Sequence, residues 1–315
     1  MPCQRYPTAT QGFLVSERVF TIGPASAWEL PPLRPATMTA PADLVARRAA
    51  VGALAQAAAV PGVEISEARY DGVPCVVCTP PEPRDAMVYF HGGGYRLGSA
   101  AQFAGLAGRL ADAARSLVVV VDYRLAPEHP FPAALHDAAR VYGQLLAERG
   151  TPPMAAGDSA GGGLAAALVL ACVNAAVAVP RGLVLMSPWL DLRCTADSYR
   201  SRSATDQLFS LDAARLAARQ YLQGHDPRDP LASPLLADVG SFPPTLLFAS
   251  ADEVLLDDAA AMTTALAQAR VATVASFVPG LPHAWPSVAP GHPESAIALD
   301  AIARFAQRRQ PREGA

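Results

Sequence analysis

Residues 155–166 read AAGDSAGGGLAA, a run in which Asp158 and Ser159 are set among alanines and glycines after a short apolar segment and before a long helical one. Two readings compete for this stretch. In one, a helix simply begins here, with Asp158 or Ser159 as its cap. In the other, Gly157, Ser159 and Gly161 form a G-x-S-x-G turn that lifts a serine hydroxyl into the open at the end of a strand. A sharp strand-to-helix turn forces unusual backbone angles and close approach, so it demands small neighbours. The helix that follows would aim its free N–H groups, that of Ala160 among them, at the same place. A phosphate loop is excluded because no lysine follows the glycines, and a dinucleotide loop because no G-x-G-x-x-G is present.

Outward from this point, short apolar β-branched runs alternate with alanine-rich helical ones. VEISEARYD, VPCVVCTP, AMVYF, LVVVVDY, GLVLMSP, TLLFAS and TVASFVP read as strands, with helical patterns such as AQFAGLAGRLADAAR and AALHDAARVYGQLLAE between them. The alternation predicts an α/β fold whose central sheet is mostly parallel and covered by helices on both faces. It lapses between about residues 190 and 240, where charges, prolines and one helix intrude. Residues 51–192 and 236–315 are therefore expected to form the core. Residues 1–50, with the helix pattern that begins at Ala42, and residues 193–235 are expected to form a cap over the strand ends. The tail RRQPREGA reads as a solvated end.

A second glycine cluster, HGGGYRLGS from His91, directly follows the strand AMVYF. Backbone without side chains can turn two N–H groups inward there, as stabilisation of an oxyanion requires. With the order serine, acid, histidine, His91, His129 and His136 come too early and His225 falls in the cap. His283, in the loop after TVASFVP, is preferred over His292 in the polar APGHPES. For the acid, ADEVLLDD offers Asp252, Glu253, Asp257 and Asp258. Asp252 comes first after its strand and is the expected partner of His283, while Asp257 and Asp258 suit the N-terminus of the next helix.

HGGGYRLGS, DYRLAPEHPFPAALHDA, GDSAGGGLA, SPWLDL, ADEVLLDD and PHAW together resemble the hormone-sensitive-lipase-like branch of the α/β-hydrolases, bacterial esterase family IV. The resemblance spans about residues 88 to 286 and implies the α/β-hydrolase fold with a helical cap. It further implies Ser159 as nucleophile, His283 as base, Asp252 as orienting acid, and Gly93, Gly94 and Ala160 as oxyanion donors. Asp122, Tyr123, Arg124 and Glu128 fall where the family has structural support. The chain departs from the family at Gly163, where asparagine is frequent, and at Glu253, where proline commonly follows the acid. The activity implied is hydrolysis of small to medium acyl esters through an acyl-enzyme. A deacetylase or amidase on the same three groups is the main alternative; a dehydratase or acyltransferase, or a ligand receptor on this scaffold, are others.

Bulk properties narrow the partners. The 315 residues are 51% apolar and 17% charged, with a formal net charge of −3. That balance suits a small-molecule substrate and gives no footprint for nucleic acid or an anionic membrane. No apolar run reaches transmembrane length and the first residues lack a signal-peptide pattern, so cytoplasmic residence is expected. Five cysteines are few and odd in number, which argues against a disulfide framework. Cys75 and Cys78, three apart on a strand, point to opposite faces and have no second Cys or His pair nearby, so metal or redox chemistry is not expected there; no cofactor is expected. Tyr95 and Trp285 are the expected substrate-lining aromatics, with Phe209, Tyr221 and Trp189 as further candidates. A homodimer through an exposed final strand is left open.

Overall fold

The computed structural model describes residues 28–53 and 60–308. The first 27 residues of the expected cap, residues 54–59 of the first helix pattern, and all but Arg308 of the C-terminal tail lie outside the described residues. The sheet is built from β1 (Glu64–Tyr70), β2 (Val73–Thr79), β3 (Asp85–Phe90), β4 (Ser116–Val121), β5 (Met154–Asp158), β6 (Leu183–Met186), β7 (Thr245–Ser250) and β8 (Thr273–Val278). Their spatial order is β1-β2-β4-β3-β5-β6-β7-β8. The pairs β1–β2 and β2–β4 are antiparallel, and every pairing from β4 through β3 to β8 is parallel. This is the mostly parallel, helix-covered sheet that the alternation predicts.

Along the interior strands both faces of the sheet are buried almost throughout, and side-chain alternation divides the apolar residues between them. Val119 and Val121 of β4 face the helices α3 (Ala133–Arg149), α4 (Ala160–Asn174) and α7 (Leu256–Gln268). Val118 and Val120 face α2 (Ala100–Ala114) and α9 (Pro293–Gln307). The same rule separates the two cysteines of β2, Cys75 joining the first core and Cys78 the second. Burial at this density stabilises by roughly 1.5–3 kcal/mol per large aliphatic side chain, which is why the interior strands are nearly continuous apolar runs.

β5 was not conspicuous as a strand. Met154-Ala155-Ala156-Gly157-Asp158 holds no β-branched residue, yet it lies in the middle of the sheet and is wholly buried. Its smallness is imposed by α4, which crosses directly over it. A Cβ on Gly157 would sit 2.3 Å from the Gly161 carbonyl oxygen, and one on Gly161 would sit 2.0 Å from that of Phe90. Backbone meets backbone there, and only glycine fits.

Two elements lie over the carboxyl ends of the strands. α1 (Ala42–Ala53) is fixed by Arg48, whose guanidinium donates to both Glu128 oxygens at 2.6 and 2.9 Å and to the Arg96 and Ala126 carbonyls at 2.7 Å each. α6 (Leu211–Leu222) starts at Ser210, whose hydroxyl accepts the Ala213 N–H. The extended segment before α1 joins the two, since Arg34 donates to the Leu222 and Gln223 carbonyls.

The α4–β5 crossing yields a stability test. Gly161→Ala is expected to lower unfolding free energy by about 1–3 kcal/mol or more, as overpacking against fixed backbone does. Gly291→Ala, which meets nothing within 4 Å, should stay within about 0.5 kcal/mol. Denaturant titration of the two variants measures both.

Candidate active site

Ser159 occupies the turn between β5 and α4 with φ 52° and ψ −122°. A side chain held at such angles costs of order 1–3 kcal/mol and persists only where its surroundings over-determine it. They do so here. Its N–H donates to the Met186 carbonyl at 2.9 Å, and its own carbonyl accepts from Gly163 at 3.2 Å and Trp189 at 2.9 Å. Gly163, where the family often has asparagine, leaves room for that Trp189 loop, because a Cβ would lie 2.3 Å from the Trp189 carbonyl oxygen.

From this turn the Ser159 Oγ lies 2.9 Å from His283 Nε2, across 124 positions of sequence. His283 sits in the loop after β8, which is pinned by the Ser250 hydroxyl donating to the Leu281 carbonyl and by the Ala284 N–H donating to Ser187 Oγ. On its other side, His283 Nδ1 lies 2.7 Å from Glu253 Oε2. With a neutral ring, Nδ1–H donates to the carboxylate and Nε2 accepts the serine proton, the tautomer a general base requires.

The acid expected from the sequence, Asp252, is not the one that meets the imidazole. Its carboxylate accepts the Gly280 N–H at 2.6 Å, and its carbonyl is held by the Thr205 hydroxyl. Successive residues of the loop after β7 point in different directions, and the inward one is Glu253, only 1% exposed. The loop is set in that register by Asp206, whose Oδ2 accepts the Val254 N–H. The signal was in the sequence as two adjacent carboxylates, but choosing between them needs the direction of a loop. Asp257 and Asp258 fall in the first turn of α7 as expected, where Asp257 accepts the Ser198 N–H and Asp258 the N–H groups of Leu190 and Asp191.

Behind the serine, Asp158 ties the two glycine clusters together. Its Oδ1 accepts the Tyr89 hydroxyl at 2.6 Å and the Gly92 N–H at 3.0 Å, and Ser287 donates to Oδ2 at 3.2 Å. Burial pushes its carboxyl above the ordinary range, and the hydrogen bonds from Tyr89 and Gly92 pull against that. The HGGG loop is further held at His91, whose ring stacks on Tyr123 and Phe103 and whose carbonyl accepts the Tyr123 hydroxyl. Burial lowers the His91 imidazole, so it is neutral and donates Nδ1–H to the Gly92 carbonyl. Beyond it the loop folds back sharply: Gly93 has φ +121°, with its carbonyl accepting from Arg96 and Leu97. The amides of Gly93 and Gly94 have no acceptor among the described residues. Ala160 is the first residue of α4, so its N–H has no acceptor within the helix.

A cleft of about 260 Å³ opens onto Ser159 and His283, lined also by Gly93, Gly94, Phe209 and Leu208. Phe209 stacks on the His283 ring at 5.9 Å between centroids. Tyr95 and Trp285 do not line this cleft. Tyr95 is buried face to face on Tyr221 at 3.9 Å, and Trp285 turns beneath the sheet to pack edge-on against Phe248. Both are packing residues because the elements bearing them face the core, a matter that residue type cannot reveal. Of the five aromatic candidates, Phe209 is the one that reaches the cleft.

Among the described residues no cluster of three potential metal ligands occurs, and no helix is long and apolar enough to cross a membrane. Cys75, Cys78, Cys172 and Cys194 are buried and unpaired, and burial pushes the Cys75 and Cys194 thiols up to about 12 and that of Cys78 to about 11.

A serine hydroxyl, an imidazole and a carboxylate aligned at the carboxyl edge of such a sheet define a serine hydrolase of the α/β type. Comparison with known proteins then fixes the family. A family model described as the alpha/beta hydrolase fold matches residues 87–287. An acetyl-hydrolase of Streptomyces hygroscopicus is 40% identical over 222 residues, covering 70% of this chain and 74% of its own. An esterase of Acinetobacter venetianus is 37% identical over 223 residues, covering 70% and 74%. Among solved structures, a hormone-sensitive lipase from a metagenome library aligns with TM-score 0.81 and 31% identity over 86% of this chain and 92% of that one. The esterase EstE5 aligns with TM-score 0.81 and 30% identity over 87% and 93%. The chain belongs to the hormone-sensitive-lipase-like family of α/β-hydrolases. It is a carboxylesterase, a serine enzyme acting on carboxylic esters.

Burial opposes the charged form of His283, but the charge and hydrogen bond of Glu253 outweigh it and raise the imidazole above its usual 6.5. The imidazole is therefore mostly neutral only at a pH above that raised value. A histidine-resolved NMR titration should place the His283 midpoint above 6.5. Glu253→Gln should move it down, and Asp252→Asn should leave it nearly in place.

Proposed function

We propose that Ser159, His283 and Glu253 carry out ester hydrolysis as a triad, with the N–H groups of Gly93, Gly94 and Ala160 receiving the oxyanion. The observation that carries this reading is the unbroken chain from Ser159 Oγ to His283 Nε2 at 2.9 Å and from His283 Nδ1 to Glu253 Oε2 at 2.7 Å. His283 takes the hydroxyl proton as Ser159 attacks the ester carbonyl. The resulting imidazolium is stabilised by Glu253, and the tetrahedral oxyanion by amides already turned toward it. His283 then gives its proton to the leaving alcohol, and an acyl-Ser159 remains. Water enters, His283 removes its proton, and a second tetrahedral intermediate collapses, His283 returning that proton to Ser159 Oγ as the carboxylic acid is released. No cofactor enters this scheme.

A small acyl group suits the roughly 260 Å³ cleft, with Phe209 and Leu208 as its apolar walls. The acetyl-hydrolase relative from Streptomyces hygroscopicus supports an acetyl or similarly short group, and keeps removal of an acetyl group from an amide open as a second reading. Residues 1–50 and 193–235 act in this scheme as a cap, Arg47 of α1 and Phe209 of the insertion bordering the same cleft. Residence in the cytoplasm and pairing of two subunits along the edge strand β8, where Val274 and Phe277 are exposed, complete the proposal.

Ser159→Ala should lower turnover of p-nitrophenyl acetate by about 10⁴-fold or more, and a fluorophosphonate should label the Ser159 peptide and no other. Near-normal turnover by that variant would remove the serine from its role. Glu253→Gln should cost far more in turnover than Asp252→Asn; the reverse order would return the acid to Asp252. The kcat/KM profile should fall on the acid side with a midpoint above 6.5, following protonation of His283.

A further inference from the structure

Arg96 follows Gly94 of the HGGG loop by two residues. The residue is only 6% exposed and lines the same cleft as Ser159 and His283. The guanidinium is folded beneath the loop itself, since a Cβ on Gly94 would lie 3.8 Å from Arg96 Nε. Of its donors, Nη1 reaches the neutral Gln220 Oε1 at 2.9 Å, while buried Nε has no partner among the described residues. No carboxylate among the described residues pairs with it.

A second guanidinium, that of exposed Arg47 on α1, borders the same cleft. The two repel one another, and Arg48 adds to the repulsion although Glu128 already binds it. Negative groups nearby do not cancel this. Asp158 is committed to Tyr89, Gly92 and Ser287, and Asp43 attracts Arg96 only at a distance, from the exposed side of α1. A buried guanidinium with a free N–H and no counter-charge is costly unless something anionic meets it. Arginine presents its donors in a planar fork that matches carboxylate and phosphate oxygens.

We propose that the cleft selects substrates bearing an oxyanion, a carboxylate or a phosphonate-type group, a few bonds from the acyl carbon, with Arg96 binding that group and Arg47 assisting from the cap. This rests on the ester-hydrolase reading for its chemistry, but the selection itself is a binding property and is measured separately. It also makes the α1 element a contributor to specificity rather than a mere cover.

The test uses Ser159→Ala protein, which cannot consume the probes, and three methyl esters: monomethyl succinate, methyl phosphonoacetate and uncharged dimethyl succinate. NMR titration should show each anionic ester binding about tenfold or more tighter than the neutral one, the range expected for a charge-assisted contact. Arg96→Gln in that background should bring the ratio close to one, and Arg47→Gln should reduce it about threefold. Arg47 is exposed, so its variant reads the effect even if loss of the Gln220 contact upsets folding of the Arg96 variant. Equal binding of charged and neutral esters, or a preference that survives both substitutions, overturns the proposal. Turnover of p-nitrophenyl acetate by the wild-type enzyme separates the two claims. Turnover with a flat binding ratio defeats the selection alone, and an arginine-dependent ratio without turnover of any ester upholds the selection and defeats the hydrolase mechanism.

Discussion

Everything in this molecule depends on the contact between two pieces of backbone: α4 lying directly on β3 and β5, with no side chain between. The Gly161 Cα approaches the Phe90 carbonyl so closely that a Cβ would fall 2.0 Å from its oxygen, and Gly157 is equally shut in by the carbonyl of Gly161. That contact bends the chain hard enough to drive Ser159 to positive φ. It also sets the N-terminus of α4 beside the end of β3, where the HGGG loop begins. The reactive turn and the amides that face it are thus one rigid unit. Strain at Ser159 is tolerated because the backbone bonds to Met186, Gly163 and Trp189 leave it no other conformation.

Polar groups that residue type alone would label as support do the next level of work. Asp158 fastens the serine turn to the HGGG loop through the Gly92 N–H, and Tyr123 fastens the same loop through the His91 carbonyl. Asp122 accepts the Ala100 N–H at the start of α2, and Arg124 forks onto Asp137 with Nε and Nη2. The motif DYRLAPEHPFPAALHDA is therefore a brace. Its side chains stay away from the reacting atoms and hold the loop that surrounds them, which is the rigidity that preset electrostatic stabilisation needs.

The sequence made the fold legible wherever side-chain alternation and β-branching coincide, as in LVVVVDY, whose valines divide cleanly between the two faces. It was faint at β5, because the centre of the sheet must be small where α4 crosses it, and small residues carry no strand signature. Ser159 stood out through the G-x-S-x-G spacing ahead of a helical pattern, and His283 because it follows the strand-like TVASFVP and is one of only six histidines. Glu253 was hidden by Asp252, its neighbour in a turn whose direction is decided by Asp206 and Thr205 from the distant insertion. The aromatic lining was misread for a similar reason. Tyr95 and Trp285 are adjacent to the site in sequence but point into the two cores, whereas Phe209 arrives from the insertion.

The side chains of Ser159, Glu253 and His283 follow β5, β7 and β8, and β8 is the outermost parallel strand, paired only with β7 among the described residues. The three groups can therefore meet only once β7 and β8 are both in place. Until β8 docks on β7 the imidazole has no fixed place, and the growing polypeptide holds an ordinary alcohol of no special basicity. Assembly of the Ser159–His283–Glu253 chain thus waits for the last strand of the sheet.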